Sequence, residues 1–311
     1  MEYVLQTDSL TKIYGSFKAV NEVSMHVKKG SIYGFIGKNG AGKTTFMRMA
    51  AGLAAPSAGS MTLFGSKDLE KQRIRIGTLI ENPGLYPGMT AQENMETIRR
   101  SLGIPDRGRV RDLLELTGLS DTGRKKTKHF SMGMKQRMGI AIALLRNPDF
   151  LILDEPINGL DPAGIKEVRD LLIRLNQEKQ ITILISSHIL GELSKIATHY
   201  GIIRNGSLIE EFDTKELEQR CRRCLKLVVS QPEQAAGILE RALGIHSYDV
   251  PEPGMLRVFE NLEHSDDINR TLVQNGISLR ESYLAGQDLE GYFMELLGGS
   301  QQQADNKNRI A

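Results

Sequence analysis

The most informative segment of the sequence reads Gly37-Lys38-Asn39-Gly40-Ala41-Gly42-Lys43-Thr44, which fits the pattern G-x-x-x-x-G-K-[ST]. The mainly apolar residues 31–36 before it predict a strand, and a helix is expected from about Gly42 to Gly52. A glycine-rich turn between a strand and a helix points backbone N–H groups at phosphate oxygens, and the helix N-terminus adds about half a positive charge. We therefore expect Lys43 to contact the β- and γ-phosphates of a nucleotide and Thr44 to offer its hydroxyl to Mg²⁺.

A second apolar segment ends in two acidic residues. Phe150–Leu153 predicts a buried strand, and Asp154 and Glu155 follow it directly. Asp154 is placed to hold Mg²⁺ through its water shell, and Glu155 to accept a proton from an attacking water. Taken alone, a strand that ends in solvated acids would be an equally good interpretation. Together with the phosphate-binding loop, the catalytic interpretation is favoured.

Composition and charge limit the classes of protein to consider. The chain has 311 residues, of which 40% are hydrophobic, and this length favours a main domain of about 200 residues with a smaller second domain. Lys and Arg number 40 and Asp and Glu number 38, so the net charge of +2 provides no broad basic surface for nucleic acid. We therefore expect no nucleic-acid partner.

Signals for membrane insertion, secretion and metal binding are weak. A transmembrane helix needs about 20 successive apolar residues, and the best runs, 139–145 and 181–185, are far shorter. No basic and apolar leader follows Met1, so we expect a cytoplasmic protein that reaches a membrane only through another chain.

The pair Cys221 and Cys224 has the spacing of half a zinc site, but such a site needs four ligands. Chance spacing in a linker helix is the favoured interpretation.

The order of predicted elements divides the chain into two domains. Residues 1–215 alternate short strands with helices, which is typical of a nucleotide-binding α/β domain. Residues 216–298 predict a small α+β domain without a chemical motif, which we interpret as an accessory or dimerisation domain. The polar residues 299–311 are expected to form a disordered tail.

Several local patterns within the first domain predict particular elements. A strand is expected at 23–27, and residues 90–146 are expected to be helical. Thr90 and Glu93 have the spacing of a capping box at a helix N-terminus. Asn205-Gly206, between two apolar segments, predicts a two-residue β-hairpin turn.

A further segment connects these motifs to a known family. An apolar helix is expected to begin at the segment Phe130-Ser131-Met132-Gly133-Met134-Lys135-Gln136-Arg137. Together with the phosphate-binding loop and the paired acids, this segment makes residues 1–215 resemble the ATPase subunits of ABC transporters. The family signature usually reads Leu-Ser-Gly-Gly-Gln, so Ser131 and Gly133 are kept while Phe130, Met132 and Met134 depart from it. A serine hydroxyl at a helix N-terminus can still bind a γ-phosphate.

The resemblance implies a fold, cofactors and a partner. The fold would be an ABC-type P-loop nucleotide-binding domain with a RecA-like core, an antiparallel β subdomain and a helical signature subdomain, followed by the small C-terminal α+β domain. The cofactors would be ATP and Mg²⁺. Because the family signature faces the P-loop of a second subunit, one chain with one P-loop would have to form a homodimer or pair with a second ATPase subunit.

The resemblance also assigns roles to individual residues. Tyr14 matches the aromatic residue that stacks on adenine, although a lone Tyr is more often part of a core, and Asp161 lies in the loop that crosses the dimer interface. His188 matches the histidine that contacts the γ-phosphate, with a surface histidine as the alternative. The expected nucleotide-binding residues are Tyr14, Gly37, Asn39, Gly40, Ala41, Gly42, Lys43, Thr44, Thr45, Ser131, Gly133 and Asp161. The expected catalytic residues are Glu155, His188 and Glu81, and the expected Mg²⁺ ligands are Thr44, Asp154 and Glu81.

Glu81 departs from the family and narrows the resemblance. The family normally carries Gln at this place, where the side chain contacts Mg²⁺ and the attacking water. A carboxylate can accept a hydrogen bond there but cannot donate one, and it adds negative charge beside the γ-phosphate. Glu81, the variant signature, residues 186–190 and the closing residues 288–293 resemble the ATPase subunits of bacitracin-resistance and lantibiotic self-protection exporters. This weaker resemblance extends to about residue 298.

The resemblance implies an ATPase that drives expulsion of a peptide antibiotic. Separate integral-membrane permease subunits would handle the cargo, and the chain would bind them at the cytoplasmic face of the membrane. One alternative is an exporter for a lipid, a drug or an ion. Another is an ABC ATPase that acts on ribosomes or DNA, but such proteins usually carry two cassettes, a long coiled coil or zinc modules, and none of these is evident here.

Overall fold

The structure is a computed structural model that describes residues 2–286 and 289–296. Within these residues the strands are β1 (Tyr3–Tyr14), β2 (Phe17–Val23), β3 (His26–Lys28), β4 (Ile32–Ile36), β5 (Ala58–Leu63), β6 (Ile76–Leu79), β7 (Phe150–Leu153), β8 (Thr182–Ser187), β9 (His199–Arg204), β10 (Ser207–Asp213), β11 (Cys224–Val229), β12 (Tyr248–Glu252), β13 (Met255–Val258) and β14 (Leu279–Ala285). The helices are α1 (Lys43–Ala51), α2 (Leu69–Arg73), α3 (Ala91–Ser101), α4 (Gly108–Leu116), α5 (Met132–Ala143), α6 (Pro162–Lys179), α7 (Leu190–Leu193), α8 (Thr214–Cys221), α9 (Pro232–Leu243), α10 (Ser265–Gln274) and α11 (Leu289–Leu296). The chain divides into two compact units, and the second of them spans Lys215–Glu295.

A six-stranded sheet with the order β10-β9-β4-β8-β7-β6 forms the centre of the first unit. The five strands from β9 to β6 run parallel, and every residue of β4, β7 and β8 is buried. Strands buried on both faces need apolar side chains throughout, which explains their continuous hydrophobic sequences. Because the carboxyl ends of parallel strands share one edge, the segments after β4, β7 and β8 meet there.

The hairpin at the edge of this sheet follows its predicted turn. Asn205 and Gly206 join β9 to β10 with φ values of 51° and 82°, the left-handed values that a type I′ turn requires. The predicted hairpin is thereby confirmed.

One side chain ties three strands of the central sheet together. The Tyr33 hydroxyl, on β4, donates to Oε1 of Glu211 on β10 at 2.6 Å. To reach it, the buried Tyr33 ring passes over Gly201 of the intervening strand β9, where an added Cβ would collide with the ring. Burial, and then the negative charge of Glu211, raise the pKa of Tyr33 well above 10.0, so the phenol remains a hydrogen-bond donor.

A second, antiparallel sheet of the first unit contains β2, β1, β3 and β5. The twelve-residue strand β1 pairs with all three other strands and has no counterpart in the sequence prediction. The single strand predicted at 23–27 is wrong, because β2 ends at Val23 and β3 begins at His26. Met25, between them, is buried in the core instead of continuing the ladder.

The predicted helical segment 90–146 contains α3, α4 and α5 joined by loops and short 3-10 helices. Thr90 and Glu93 form the predicted capping box at the start of α3, since the Thr90 hydroxyl accepts from Glu93 N and the Glu93 carboxylate accepts from Thr90 N. Loops separate α3 from α4 and α4 from α5, so residues 90–146 are not one continuous helical region.

The second unit contains an antiparallel sheet with the order β12-β13-β11-β14. With α9 and α10 between its strands, the chain order is that of the ferredoxin-like βαββαβ arrangement. Alternate residues of β11, namely Leu225, Leu227 and Val229, face a core shared with both helices. Sequence reasoning missed β12, and the predicted tail, 299–311, lies outside the described residues.

Candidate active site

The turn after β4 has a backbone that only glycine adopts without strain. Gly40 and Gly42 have φ values of 80° and 108°, and a Cβ at Gly42 would collide with the carbonyl of Ala19. Gly42 caps α1, which begins at Lys43. The sequence G-x-x-x-x-G-K therefore leaves the first N–H groups of α1 free of side chains that would hinder an anion.

Lys43 is buried and curls back over this turn. Its ammonium donates to the carbonyl of Gly37 at 2.6 Å and to that of Lys38 at 3.3 Å. It also lies 3.3 Å from Oε1 of Glu155. A buried ammonium needs such partners, and it would exchange them for phosphate oxygens when a nucleotide binds.

The Asp154 carboxylate, which follows β7, is held by two hydroxyl groups. Thr44 Oγ1 donates to Oδ2 of Asp154 and Ser186 Oγ donates to Oδ1, both at 2.6 Å. Only 6% of Asp154 is exposed, so these bonds satisfy a charge that water does not reach. The structure thus brings the two predicted Mg²⁺ ligands, Thr44 and Asp154, into direct contact.

Glu155 and His188 form a second pair at the same edge of the sheet. Nδ1 of His188 lies 2.8 Å from Oε2 of Glu155. The other carboxylate oxygen, Oε1, is buried without a hydrogen bond among the described residues and faces Lys43. Glu155 has a φ of 49°, a left-handed value that is uncommon for a residue with a side chain. One carboxylate oxygen is therefore held by His188, and the other is ion-paired with Lys43.

A cleft of about 260 Å³ lies beside the glycine-rich turn. It is lined by Phe17, Ala19, Asn39, Gly40, Gly42, Lys43, Thr44, Thr45 and Glu155. Of the residues predicted to contact nucleotide, Asn39, Gly40, Gly42, Lys43, Thr44 and Thr45 thus surround one space, while Ala41 and Gly37 lie in the same turn.

The predicted adenine-stacking residue stands next to a better-placed aromatic side chain. Tyr14 ends β1 and pairs with Phe17, the first residue of β2. Phe17 lines the cleft and is 62% exposed, whereas the ring of Tyr14 packs under the ammonium of Lys12 at 5.0 Å. Sequence reasoning missed Phe17, and the signal that could have found it is a second aromatic residue directly across the Gly15-Ser16 turn.

Glu81 lies in the loop after β6 and binds a residue of α1. Its Oε1 accepts from Arg48 Nη2 at 2.5 Å, and its backbone has a φ of 65°. Glu81 therefore adjoins the helix that starts at the phosphate-binding turn, with its charge balanced by Arg48.

Three further predicted residues stand at helix N-termini and are absent from the described lining of the cleft. Ser131 caps α5 by accepting from Met134 N at 3.2 Å, and Asp161 caps α6 by accepting from Gly164 N at 3.2 Å. Gly133 lies in the first turn of α5, and a Cβ built on it would lie 3.8 Å from the Cα of Gly164. Ser131, Gly133 and Asp161 therefore lie at the starts of α5 and α6, and none of them is among the residues that line the cleft.

The described residues contain neither a preformed metal site nor a membrane-spanning helix. No group of three or more His, Cys, Asp and Glu side chains there is arranged around a metal position. None of the helices in that part of the chain has the length and hydropathy to cross a bilayer.

Comparison with known proteins identifies the family. Residues 20–158 match the family model of the ABC transporter. The bacitracin transport ATP-binding protein BcrA of Bacillus licheniformis is 43% identical over 302 residues, which cover 96% of this chain and 99% of that protein. The chain belongs to the ABC transporter family of ATP-binding proteins. As an ABC cassette it binds ATP, and its hydrolysis of ATP is coupled to transport.

Other similarities extend this assignment. The lantibiotic transport ATP-binding protein SrtF of Streptococcus pyogenes is 41% identical over 215 residues, or 68% of this ABC protein and 93% of that one. A dimeric ATP-binding cassette bound to ADP and Pi superposes with a TM-score of 0.61 and 25% identity, covering 67% of this chain and 98% of that chain. The resemblance and the fold class inferred from the sequence are both confirmed.

Proposed function

We propose that this ABC protein is the ATPase subunit of an exporter for a peptide antibiotic of the bacitracin or lantibiotic type. One observation carries the proposal: the similarity to a bacitracin transport ATP-binding protein covers 96% of the chain and therefore includes the second unit. The lantibiotic transport ATP-binding protein matches over 215 residues, or 68% of this chain, and supports the same class of cargo.

The residues of the cleft suit binding and hydrolysis of ATP. Lys43 and the N–H groups at the start of α1 bind the phosphates, and Phe17 or Tyr14 offers a ring to the adenine. Glu155 accepts the proton of the attacking water through Oε1, the buried oxygen that lacks a hydrogen bond among the described residues. His188, bound to Oε2, orients the carboxylate.

Thr44 and Asp154 provide oxygen donors of the kind that Mg²⁺ prefers, and the two groups lie in contact. We assign the metal to these residues, where it would neutralise the negative charge of the phosphates. Glu81 joins this set only after it leaves Arg48, so its role belongs to the nucleotide-bound state.

A second ATPase subunit completes the site. Ser131, Gly133 and Asp161 cap or open helices that do not line the cleft of their own chain, which suits residues that serve the cleft of a partner. A dimeric cassette among the structural neighbours supports this arrangement. We place the dimer at the cytoplasmic face of the membrane, bound to separate permease subunits that handle the cargo.

The test is ATP turnover of the chain purified with its permease subunits, measured with and without bacitracin or a lantibiotic. Turnover that rises with one antibiotic, and that Glu155→Gln lowers by at least about a hundredfold, supports the proposal. Antibiotic-independent turnover that rises with a lipid, drug or ion instead assigns a different cargo. Full turnover in Glu155→Gln would remove Glu155 from its role as the base.

A further inference from the structure

Ser186 lies two residues before His188 and received no role from the sequence, yet its side chain lies between the two acids of the active site. It is the penultimate residue of β8 and is fully buried. Its Oγ donates to Oδ1 of Asp154 at 2.6 Å and accepts from the backbone N–H of Glu155 at 2.8 Å. A hydroxyl has one donor and two acceptor positions, so it can make both bonds at once.

Asp154 and Glu155 need this support because they lie beyond the end of the sheet ladder. The pairing of β7 with β8 ends at Leu153 and Ile185, so Asp154 and Glu155 lie just beyond the ladder. Glu155 also has the left-handed φ of 49°. A side chain with φ in this region persists only where neighbouring groups hold it, and the N–H of Glu155 is held by Ser186.

We propose that Ser186 is a positioning residue for ATP hydrolysis. Through Oδ1 it turns the Asp154 carboxylate so that Oδ2 meets Thr44. Through the amide of Glu155 it fixes the backbone from which that carboxylate reaches Lys43 and His188. The inference rests on the proposed roles of Asp154 and Glu155 and adds a residue that acts through both.

Loss of this hydroxyl has two expected effects that appear together. A buried N–H at Glu155 and one oxygen of Asp154 lose their partner, so kcat falls about tenfold or more. The Mg²⁺ concentration for half-maximal turnover rises about tenfold, the size typical for loss of a group that orients a metal ligand. Affinity for ATP without Mg²⁺ stays at the wild-type value, because Lys43 and the glycine-rich turn provide it.

The experiment compares Ser186→Thr with Ser186→Val, a pair that differs mainly in a hydroxyl against a methyl group. Both add one branch to a buried site, so any disturbance from the added volume is shared. Ser186→Ala tests the loss of the hydroxyl without added volume. Turnover, Mg²⁺ dependence and metal-free ATP affinity are measured on the full chain for each variant.

Thr182→Val is the matched control on the same strand. The buried Thr182 hydroxyl also accepts a backbone N–H, that of Gly30 at 2.8 Å, at the other end of β8. Its loss leaves a similar unpaired group, but kcat and the Mg²⁺ dependence should remain those of the wild type.

The inference holds if Ser186→Thr exceeds Ser186→Val in kcat by about tenfold and Ser186→Ala resembles the Val variant. It is overturned if Thr and Val variants match, if Ser186→Ala turns over like wild type, or if Thr182→Val lowers kcat equally. Glu155→Gln separates this inference from the proposed function: full turnover in that variant contradicts the site itself, whereas low turnover there with a normal Ser186→Ala contradicts only the role of Ser186.

Discussion

The two units of the chain bury different kinds of side chain. All fourteen buried polar or charged side chains of the described residues belong to the first unit, and they include Lys43, Asp154 and Ser186. The described core of the second unit is apolar, and its bidentate pair Arg257–Asp249 lies at the surface. Lys43, Asp154 and Ser186 are hydrogen-bonded within the active site, whereas Thr90 and Asn94 hold the start of a helix. The buried polar groups of the first unit thus serve both its chemistry and its local structure.

The largest expected effect is the loss of nucleotide binding in Lys43→Ala. Lys43 supplies the buried positive charge of the cleft, and in its absence the phosphates face Glu155 without compensation. Binding of a fluorescent ATP analogue should disappear. An affinity for ATP close to that of the wild type would show that the buried ammonium of Lys43 does not bind the nucleotide.

Leu227→Ala tests whether the apolar core of the second unit is independent of the cleft. Leu227 is fully buried in β11, so its truncation should lower the free energy of unfolding of that unit by about 2–5 kcal/mol. Denaturant unfolding measures this loss. ATP affinity should not change, and a parallel loss of affinity would break the contrast between the units.

Glu81→Gln examines the ion pair at the border of the active site. A glutamine can still accept from water, so basal ATP turnover should stay within about tenfold of the wild type. The charge that Arg48 balances is lost, so stimulation by the permease and cargo should change. Arg48→Gln removes the same pair from the other side and is the control. A Glu81→Gln variant that hydrolyses no ATP would contradict this role. So would cells that carry this variant and keep the antibiotic resistance of the wild type.

The smallest effect is expected at the capping box of α3. Thr90→Ala removes an N-cap and should lower the free energy of unfolding by about 1 kcal/mol. Thermal or denaturant unfolding at neutral pH provides the measurement, and ATP turnover should not change.

The same capping box predicts a pH dependence. The backbone N–H of Thr90, and then Lys126, lower the pKa of Glu93 from 4.5. The stability that ionised Glu93 contributes is therefore complete above pH 4.5 and lost as the pH falls through its lower folded value. The wild type should exceed Glu93→Gln in stability at neutral pH and match it in strong acid. A difference that persists in strong acid would contradict the assignment.

Local signals predicted the parts of the fold that are decided locally. Gly42 and Gly52 cap α1 at the predicted ends, and the hairpin and capping box lie where their turn residues place them. Other parts depend on distant partners. Ser186 is 32 residues from Asp154, and Phe17 lines the cleft only because β2 folds against the turn. No local pattern predicts the role of Ser186, whereas the pairing of Phe17 with Tyr14 across the Gly15-Ser16 turn was a local signal for Phe17.

The contact between Tyr33 and Gly201 constrains how this chain can diverge. The Tyr33 ring occupies the space that any side chain at 201 would need, and its hydroxyl ends on Glu211 of the edge strand. A mutation of Gly201 is tolerable only when Tyr33 has become smaller, and Glu211 then still binds the backbone N–H and Nδ1 of His26. In relatives of this chain, a side chain at position 201 should therefore occur only together with a smaller residue at position 33.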